Sequence, residues 1–163
     1  MTPTAPRIDE LAQRRAAHWA VVFGAIGVGS AMTWTALTDA ASLLWAASPL
    51  IAAGTFGCLA SAWLAGLRLG RTLSGRSARH AYCAGVLTAW SALLGGTAAG
   101  ALLYFCLAAP ETIERGFWLR MREHALWVAV VPLYGGLPAL VLGLAYTYVV
   151  RTRRAPRASP TTP

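Results

Sequence analysis

The sequence has 163 residues, of which 56% are hydrophobic and 12% are charged. Because an ordinary soluble domain has about 25% charged residues, this composition excludes that class and indicates a membrane protein. The net charge of +8 would suggest nucleic-acid binding in a soluble protein. Here the basic residues flank apolar runs, a pattern that orients membrane proteins, and no nucleic-acid partner is predicted.

The first element is a polar head, residues 1–17, followed by an apolar run at 18–38. Arg14 and Arg15 ahead of this run also resemble the start of a signal peptide or of a twin-arginine export signal, with Ala31 as the cleavage point. The apolar core of a signal peptide is usually shorter, so the length favours a membrane span. Whether this span is ever cleaved stays open at the level of sequence.

Three further apolar segments, at 43–67, 81–109 and 125–150, are long enough to cross a bilayer. The turn before the second span is so short that the first two spans must be antiparallel neighbours. A basic, Gly/Ser-rich loop at 68–80 separates this hairpin from the second one. Residues 151–163 are predicted to form a disordered basic tail.

The segment between the third and fourth spans, residues 110–124, is polar but contains apolar residues every three to four positions. Pro110 suits the first position of a helix, and Glu111 and Glu114 suit its positive end. The pattern predicts a short amphipathic helix at the outer membrane surface. It would act as a docking face, as a lid, or as a plain connector.

The predicted fold is therefore an all-α integral membrane protein. Four transmembrane helices form two antiparallel hairpins and one four-helix bundle, residues 18–150, with the amphipathic helix before the fourth span. All basic residues are arginine, a composition that favours a GC-rich bacterial genome and hence a bacterial inner (cytoplasmic) membrane.

Arginine counts predict the orientation, because arginine resists translocation across the membrane. The head, the central loop and the tail carry three, four and four arginines, whereas the two connections on the opposite side carry none and three. Both termini and the central loop are accordingly predicted to be cytoplasmic.

The four predicted spans contain no charged side chain, and the three histidines lie at span edges. Proton relays and ion-coupled transporters need ionisable groups at membrane depth, so this class is disfavoured. His18 and His80 share the cytoplasmic side and could ligate a haem, but histidine also tolerates the membrane interface. The three cysteines form no ligand motif. No cofactor and no metal site are predicted.

One segment of the fourth span carries the candidate pathway or hinge, the run from 131 to 138. Pro132 and Pro138 each remove a backbone donor, and Gly135 and Gly136 loosen the turn between them, so the helix is expected to kink or partly unwind. Tyr134 is the hydroxyl expected to matter there. Broken helices line substrate sites in transporters, although Pro and Gly are also ordinary in membrane helices.

Small residues and aromatics complete the prediction. Gly96 and Gly100 form a G-x-x-x-G pair that permits close helix packing, within the bundle or between subunits. The aromatic residues near span ends, among them Tyr146 and Tyr148, fit the aromatic belts of membrane proteins.

The predicted function is that of a small membrane protein without catalytic activity, an accessory, assembly or anchoring subunit of a larger membrane complex. Its expected partners are the lipid bilayer and either further copies of itself or a larger membrane protein. The alternative is a small oligomeric transporter or channel that uses the Pro132/Pro138 break. A third hypothesis, a lipid-directed enzyme, would have to use Glu111, Glu114 and Glu123, whose spacing shows no paired acid–base arrangement.

Overall fold

The computed structural model of the chain describes residues 8–37, 48–73, 77–115 and 117–153, without the side chains of residues 8–9, 34–35, 105 and 107–134. These ranges contain four helices and no strand: α1 (Ile8–Leu37), α2 (Ser48–Leu73), α3 (Ala78–Arg115) and α4 (Phe117–Thr152). The described part of the chain is therefore all-helical, as predicted. Of the tail predicted to be disordered, residues 151–163, Arg151 and Thr152 belong to α4, and residues 154–163 lie outside the described residues.

Three helices are long and apolar enough to cross a membrane, and they carry the candidate spans Glu10–Thr33, Ser48–Leu73 and Ala78–Tyr104. A bilayer core of about 30 Å requires about 20 helical residues, so each has length to spare. This agrees with the predicted class of helical membrane protein. The fourth predicted span lies in α4, where many side chains are outside the description.

The helices pack in chain order, and α4 also returns to α1. Gly24 of α1 lies against Ala62 of α2, whereas Ala17 lies against Gly66. Residue numbers thus rise on one helix as they fall on the other, which means that α1 and α2 are antiparallel. Contacts of α3 with α2 and with α4, and of α1 with α4, follow the same rule.

The predicted basic loop at 68–80 is shorter in the structure, because α2 continues to Leu73 and α3 begins at Ala78. Ser77 takes the N-cap position of α3, because its carbonyl oxygen accepts the first helical hydrogen bond, from the amide of Ala81 at 3.2 Å. Its Oγ shares a hydrogen bond of 2.8 Å with the side chain of His80 at Nδ1. A helix does not have to end where the hydrocarbon ends, and a polar N-cap extends it into the aqueous side.

The outer segment also differs from the prediction. Residues 110–124 do not form a separate helix: α3 runs through Pro110 to Arg115, and α4 begins at Phe117. Pro110 therefore lies inside a helix rather than at its first position. A proline in a membrane helix removes one backbone hydrogen bond, and the flanking turns retain theirs, so the helix continues.

The buried core lies at one end of the helices, which we call the basic end because Arg15, Arg71, Arg79 and Arg151 lie there. Its fully buried side chains include Leu73 and Tyr146. Alanines complete the core, among them Ala16, Ala20, Ala62, Ala84 and Ala92. Small side chains let the four helices approach closely, and the few large ones fill the space between them.

Candidate functional site

A cavity of about 1160 Å³ lies between the four helices and adjoins the buried core, with which its wall shares Ala20, Ala62 and Ala92. Every helix contributes to its wall, mostly with glycine, alanine and other apolar residues. Representative lining residues are Ala20, Gly24, Gly27 and Ala31 on α1, Gly54, Cys58 and Ala62 on α2, Ala89, Ala92 and Gly96 on α3, and Gly135, Ala139 and Leu142 on α4.

Small residues at helical spacing produce this cavity. On each helix the lining residues recur every three to four positions, so they share the face that points inward. Most of these side chains are short, although Leu142 of α4 reaches Gly27 of α1. The larger Leu87 and Leu94 of α3 are exposed on its outer face. The inner faces therefore enclose space that no side chain of the lining fills.

The cavity wall is chemically apolar. None of the described side chains that line it is charged. Thr88 and Thr97 donate their hydroxyl hydrogens to the carbonyl oxygens of Ala84 and Leu93, both at 2.8 Å. These hydroxyl donors are already used within α3. A polar solute would therefore lose its hydration water on entering the cavity and gain few hydrogen-bond partners.

Tyr146 closes the cavity at the basic end. Its side chain is 2% exposed, and its hydroxyl donates to the carbonyl oxygen of Ala16 at 2.9 Å. The ring of Phe23 meets the Tyr146 ring edge-on, with centroids 5.9 Å apart. The tyrosine thus joins α4 to α1 by a hydrogen bond and by packing at once.

Two contacts of Arg153 strengthen the same junction of α1 with α4. Arg15 donates to the carbonyl oxygen of Arg153 at 3.3 Å, and the Arg153 guanidinium lies 4.8 Å from the ring centroid of Trp19. Arg151 reaches in the other direction and donates to the carbonyl oxygen of Ser77 at 3.4 Å. These contacts tie the described end of α4 to both of its neighbours.

The cavity opens sideways between α1 and α4. On α1, Ser30 and Ala31 line the cavity and are also exposed. On α4, Leu137 and Val141 do the same, with 73% and 57% of their surface exposed. Apart from the hydroxyl of Ser30, the described residues at this opening are apolar.

The predicted pathway residues divide into three groups. Gly135 and Pro138 line the cavity. Gly136 faces Trp90, since a Cβ at Gly136 would lie 3.1 Å from the Trp90 ring. The side chains of Pro132 and Tyr134 are outside the described residues.

The expected unwinding of this segment is absent, because α4 is helical from Phe117 to Thr152. Each proline removes one donor, but the remaining hydrogen bonds of the turn hold the helix together. A role of this segment as a pathway or hinge stays a prediction.

The predicted packing glycines face α2. A Cβ at Gly96 would lie 2.9 Å from the carbonyl oxygen of Gly54 and 3.1 Å from Cys58 Cβ. Gly100 lies farther away, with its would-be Cβ 3.7 Å from the carbonyl oxygen of Leu50. Gly96 is therefore the position where a side chain would push α2 and α3 apart, and it also lines the cavity.

Sequence reasoning missed the most deeply buried hydroxyl groups. Tyr146 was expected in an interfacial belt, but it is buried against Ala16, and Thr147 beside it is fully buried against α3. Tyr148, by contrast, is 61% exposed, as a belt residue would be. The sequence does contain a signal for the burial of Thr147. Gly143 lies four residues before it on the same face of α4, and a glycine there allows α3 to approach that face.

In the described part of the chain, no three His, Cys, Asp or Glu side chains come together in a group that could hold a metal ion. The side chains of Glu111, Glu114 and Glu123 are outside that part of the chain. Compared with protein-family models, with curated proteins and with solved structures, the chain matches none of them.

Proposed function

We propose that all four helices span a bacterial inner membrane as two antiparallel hairpins, α1–α2 and α3–α4, in one four-helix bundle with the basic end in the cytoplasm. Three observations support this arrangement. Three helices have the length and hydropathy of membrane spans, and neighbouring helices are antiparallel. Of the ten arginines in the described ranges, seven lie at the basic end and three, Arg115, Arg120 and Arg122, at the other. The side of the membrane with more arginine is normally the cytoplasmic one.

We further propose that the protein is a non-catalytic accessory, assembly or anchoring subunit of a larger membrane complex. The observation that carries this proposal is the chemistry of the interior. Its described wall is uncharged, and Thr88, Thr97 and Tyr146 donate to backbone carbonyls of the protein itself. An interior of this kind suits a stable scaffold better than the binding or conversion of a polar substrate.

The experiment that tests this function is isolation of the tagged chain, at its native level of expression, in a mild detergent. The mass of the intact particle and the identity of every co-purifying polypeptide are then measured. We expect a larger membrane protein in fixed stoichiometry with this chain. A particle that contains this chain alone would contradict the proposal.

A second candidate function, a small oligomeric transporter or channel, is favoured by one specific observation. Gly135 and Pro138, from the predicted pathway segment, line a large cavity that opens sideways. In this case the double variant Pro132→Ala with Pro138→Ala should abolish solute flux in proteoliposomes while the protein stays folded. For the subunit, the same variant should still capture the partner.

A further inference from the structure

We propose that the cavity is a binding site for an acyl chain of a bilayer phospholipid, which enters through the opening between α1 and α4. The inference goes beyond the proposed function: it needs the helices to lie in a membrane, but it does not need a protein partner. The site is formed by the cavity-lining faces of all four helices and is closed at one end by Tyr146.

The chemistry of the wall selects an apolar ligand. The described lining is uncharged, and the hydroxyl groups of Thr88 and Thr97 are engaged within their own helix. Water needs two to four polar partners to be stable in a cavity, and this wall offers few. A hydrocarbon chain would instead gain van der Waals contact with a wall that otherwise has no partner atoms.

The position of the opening selects the source of that ligand. Ser30 and Ala31, on one side of it, belong to the candidate span Glu10–Thr33. Ser30 lies 15 residues from Arg15, which is roughly 22 Å along the helix and so beyond the midplane of a hydrocarbon core of about 30 Å. At that depth the surrounding medium consists of acyl chains, and the exposed rim residues Leu137 and Val141 are compatible with it.

The dimensions also fit one chain. The lining of α1 runs from Ala20 to Ala31, a distance of about 16 Å, which is close to half of a bilayer core of about 30 Å. The volume of about 1160 Å³ exceeds the range of about 300–1,000 Å³ common for ligand sites, so space does not exclude the chain. The chain would lie along α1 with its terminal methyl towards Tyr146. Its headgroup would face the end of the helices opposite the basic end.

The test uses the purified full-length chain in vesicles of phosphatidylethanolamine and phosphatidylglycerol. A trace of phosphatidylcholine carries a photoreactive diazirine in one acyl chain. After illumination, labelled residues are mapped by mass spectrometry. We expect label on inward-facing residues of the cavity, such as Ala92 and Thr97, in addition to the outer surface. Label confined to outward-facing residues such as Phe56 and Leu102 would overturn the proposal.

A pair of variants on α3 provides the matched control. Ala89 lines the cavity, whereas Ala98 is exposed and does not. Ala89→Phe should lower labelling of the cavity several-fold and leave the outer surface unchanged, and Ala98→Phe should leave both unchanged. Equal labelling of the cavity in both folded variants would contradict the proposal. If Ala89→Phe fails to fold, Ala31→Phe at the opening takes its place.

The other possible occupant is a helix of a partner protein. A photoreactive amino acid in place of Ala89, which lines the cavity and is not exposed, distinguishes the two when it is illuminated in native membranes. Crosslinks to lipid support the proposal, and crosslinks to a second polypeptide in place of lipid overturn it. Because the vesicle experiment uses the chain alone, absence of a protein partner would defeat the proposed subunit function and leave this result unaffected.

Discussion

The basic end and the cavity are both rich in small residues, but the two regions differ in how tightly their helices are packed. At the basic end Ala16, Ala17 and Ala81 are fully buried, and Tyr146 fills the space between α1 and α4. Around the cavity, many of the lining residues are alanine or glycine, and no side chain fills the enclosed volume of about 1160 Å³. Small residues permit close approach of helices only when backbones or one large side chain complete the contact.

Tyr146→Ala should have the largest effect, because it removes the side chain that completes the basic end. We expect a loss of about 3 kcal/mol in the free energy of unfolding, which is the lower end of the range for replacing a buried aromatic side chain by alanine. The lower end applies because lipid, unlike water, solvates the apolar surface that the substitution exposes. Tyr148→Ala is the control, because Tyr148 is 61% exposed and should change stability little. Unfolding by SDS in mixed micelles, followed by circular dichroism, measures both. Equal losses would show that the basic end is not the stable region.

Gly143→Leu should come next, since α3 and α4 approach each other there. A Cβ at Gly143 would lie 2.8 Å from Val86 Cα and 2.9 Å from the carbonyl oxygen of Gly85. Backbone atoms cannot move aside as a flexible side chain can, so we expect a loss of about 2 kcal/mol. The matched variant is Gly29→Leu, because a Cβ at Gly29 meets no atom within 4 Å. Leucine has a higher helix propensity than glycine, so propensity alone would stabilise both variants. A loss in Gly29→Leu as large as in Gly143→Leu would contradict the explanation by close packing of α3 and α4.

The cavity should tolerate added volume that the basic end does not. Ala89→Leu places a larger apolar side chain in the cavity, and we expect a change in unfolding free energy within about 1 kcal/mol. Ala84→Leu, on the same helix but in the buried core with 3% exposure, should destabilise more. The same micelle unfolding assay compares the two. A larger loss of unfolding free energy for Ala89→Leu than for Ala84→Leu would mean that protein side chains already fill the space beside Ala89.

Arg153→Gln should have the smallest effect, because its contact with Trp19 lies at the exposed rim of the basic end. Removing the guanidinium from the ring, 4.8 Å away, should cost about 0.5 kcal/mol. Its backbone carbonyl, which accepts from Arg15, remains in the variant. Arg71→Gln is the control at the same end, and the two losses are compared by the midpoint of SDS unfolding. If the two variants lose equal stability, the cation–π contact of Arg153 with Trp19 does not stabilise this junction.

Much of the fold could be predicted because hydrophobic length is a property of the chain itself. The all-helical class and three apolar spans agree with the structure. Helix ends were predicted less well. The basic loop at 68–80 is shorter than predicted, and the outer segment at 110–124 is divided between α3 and α4 instead of forming a helix of its own. Polarity marks where a helix can leave the hydrocarbon, but local capping, such as that of α3 by Ser77, decides where the helix ends.

The candidate site was predictable only in part. Gly135 and Pro138 were selected for their effect on one helix, and the structure brings them into a cavity formed by four. Tyr146 was assigned to the interface from its distance to a span end, yet its partner Ala16 is 130 residues away. Sequence spacing carries no information on such a pairing.

The sequence by itself determined the all-helical class, three apolar segments long enough to cross a membrane, and the higher arginine content of one end, because length, hydropathy and charge are local properties. Only the tertiary structure decided which small residues bring backbones together and which leave space. Helical spacing places residues on a common face, but the distance to the facing helix depends on the large side chains elsewhere in the interface. In this protein Tyr146 closes one end of the interior, and the glycines and alanines beyond it line a cavity.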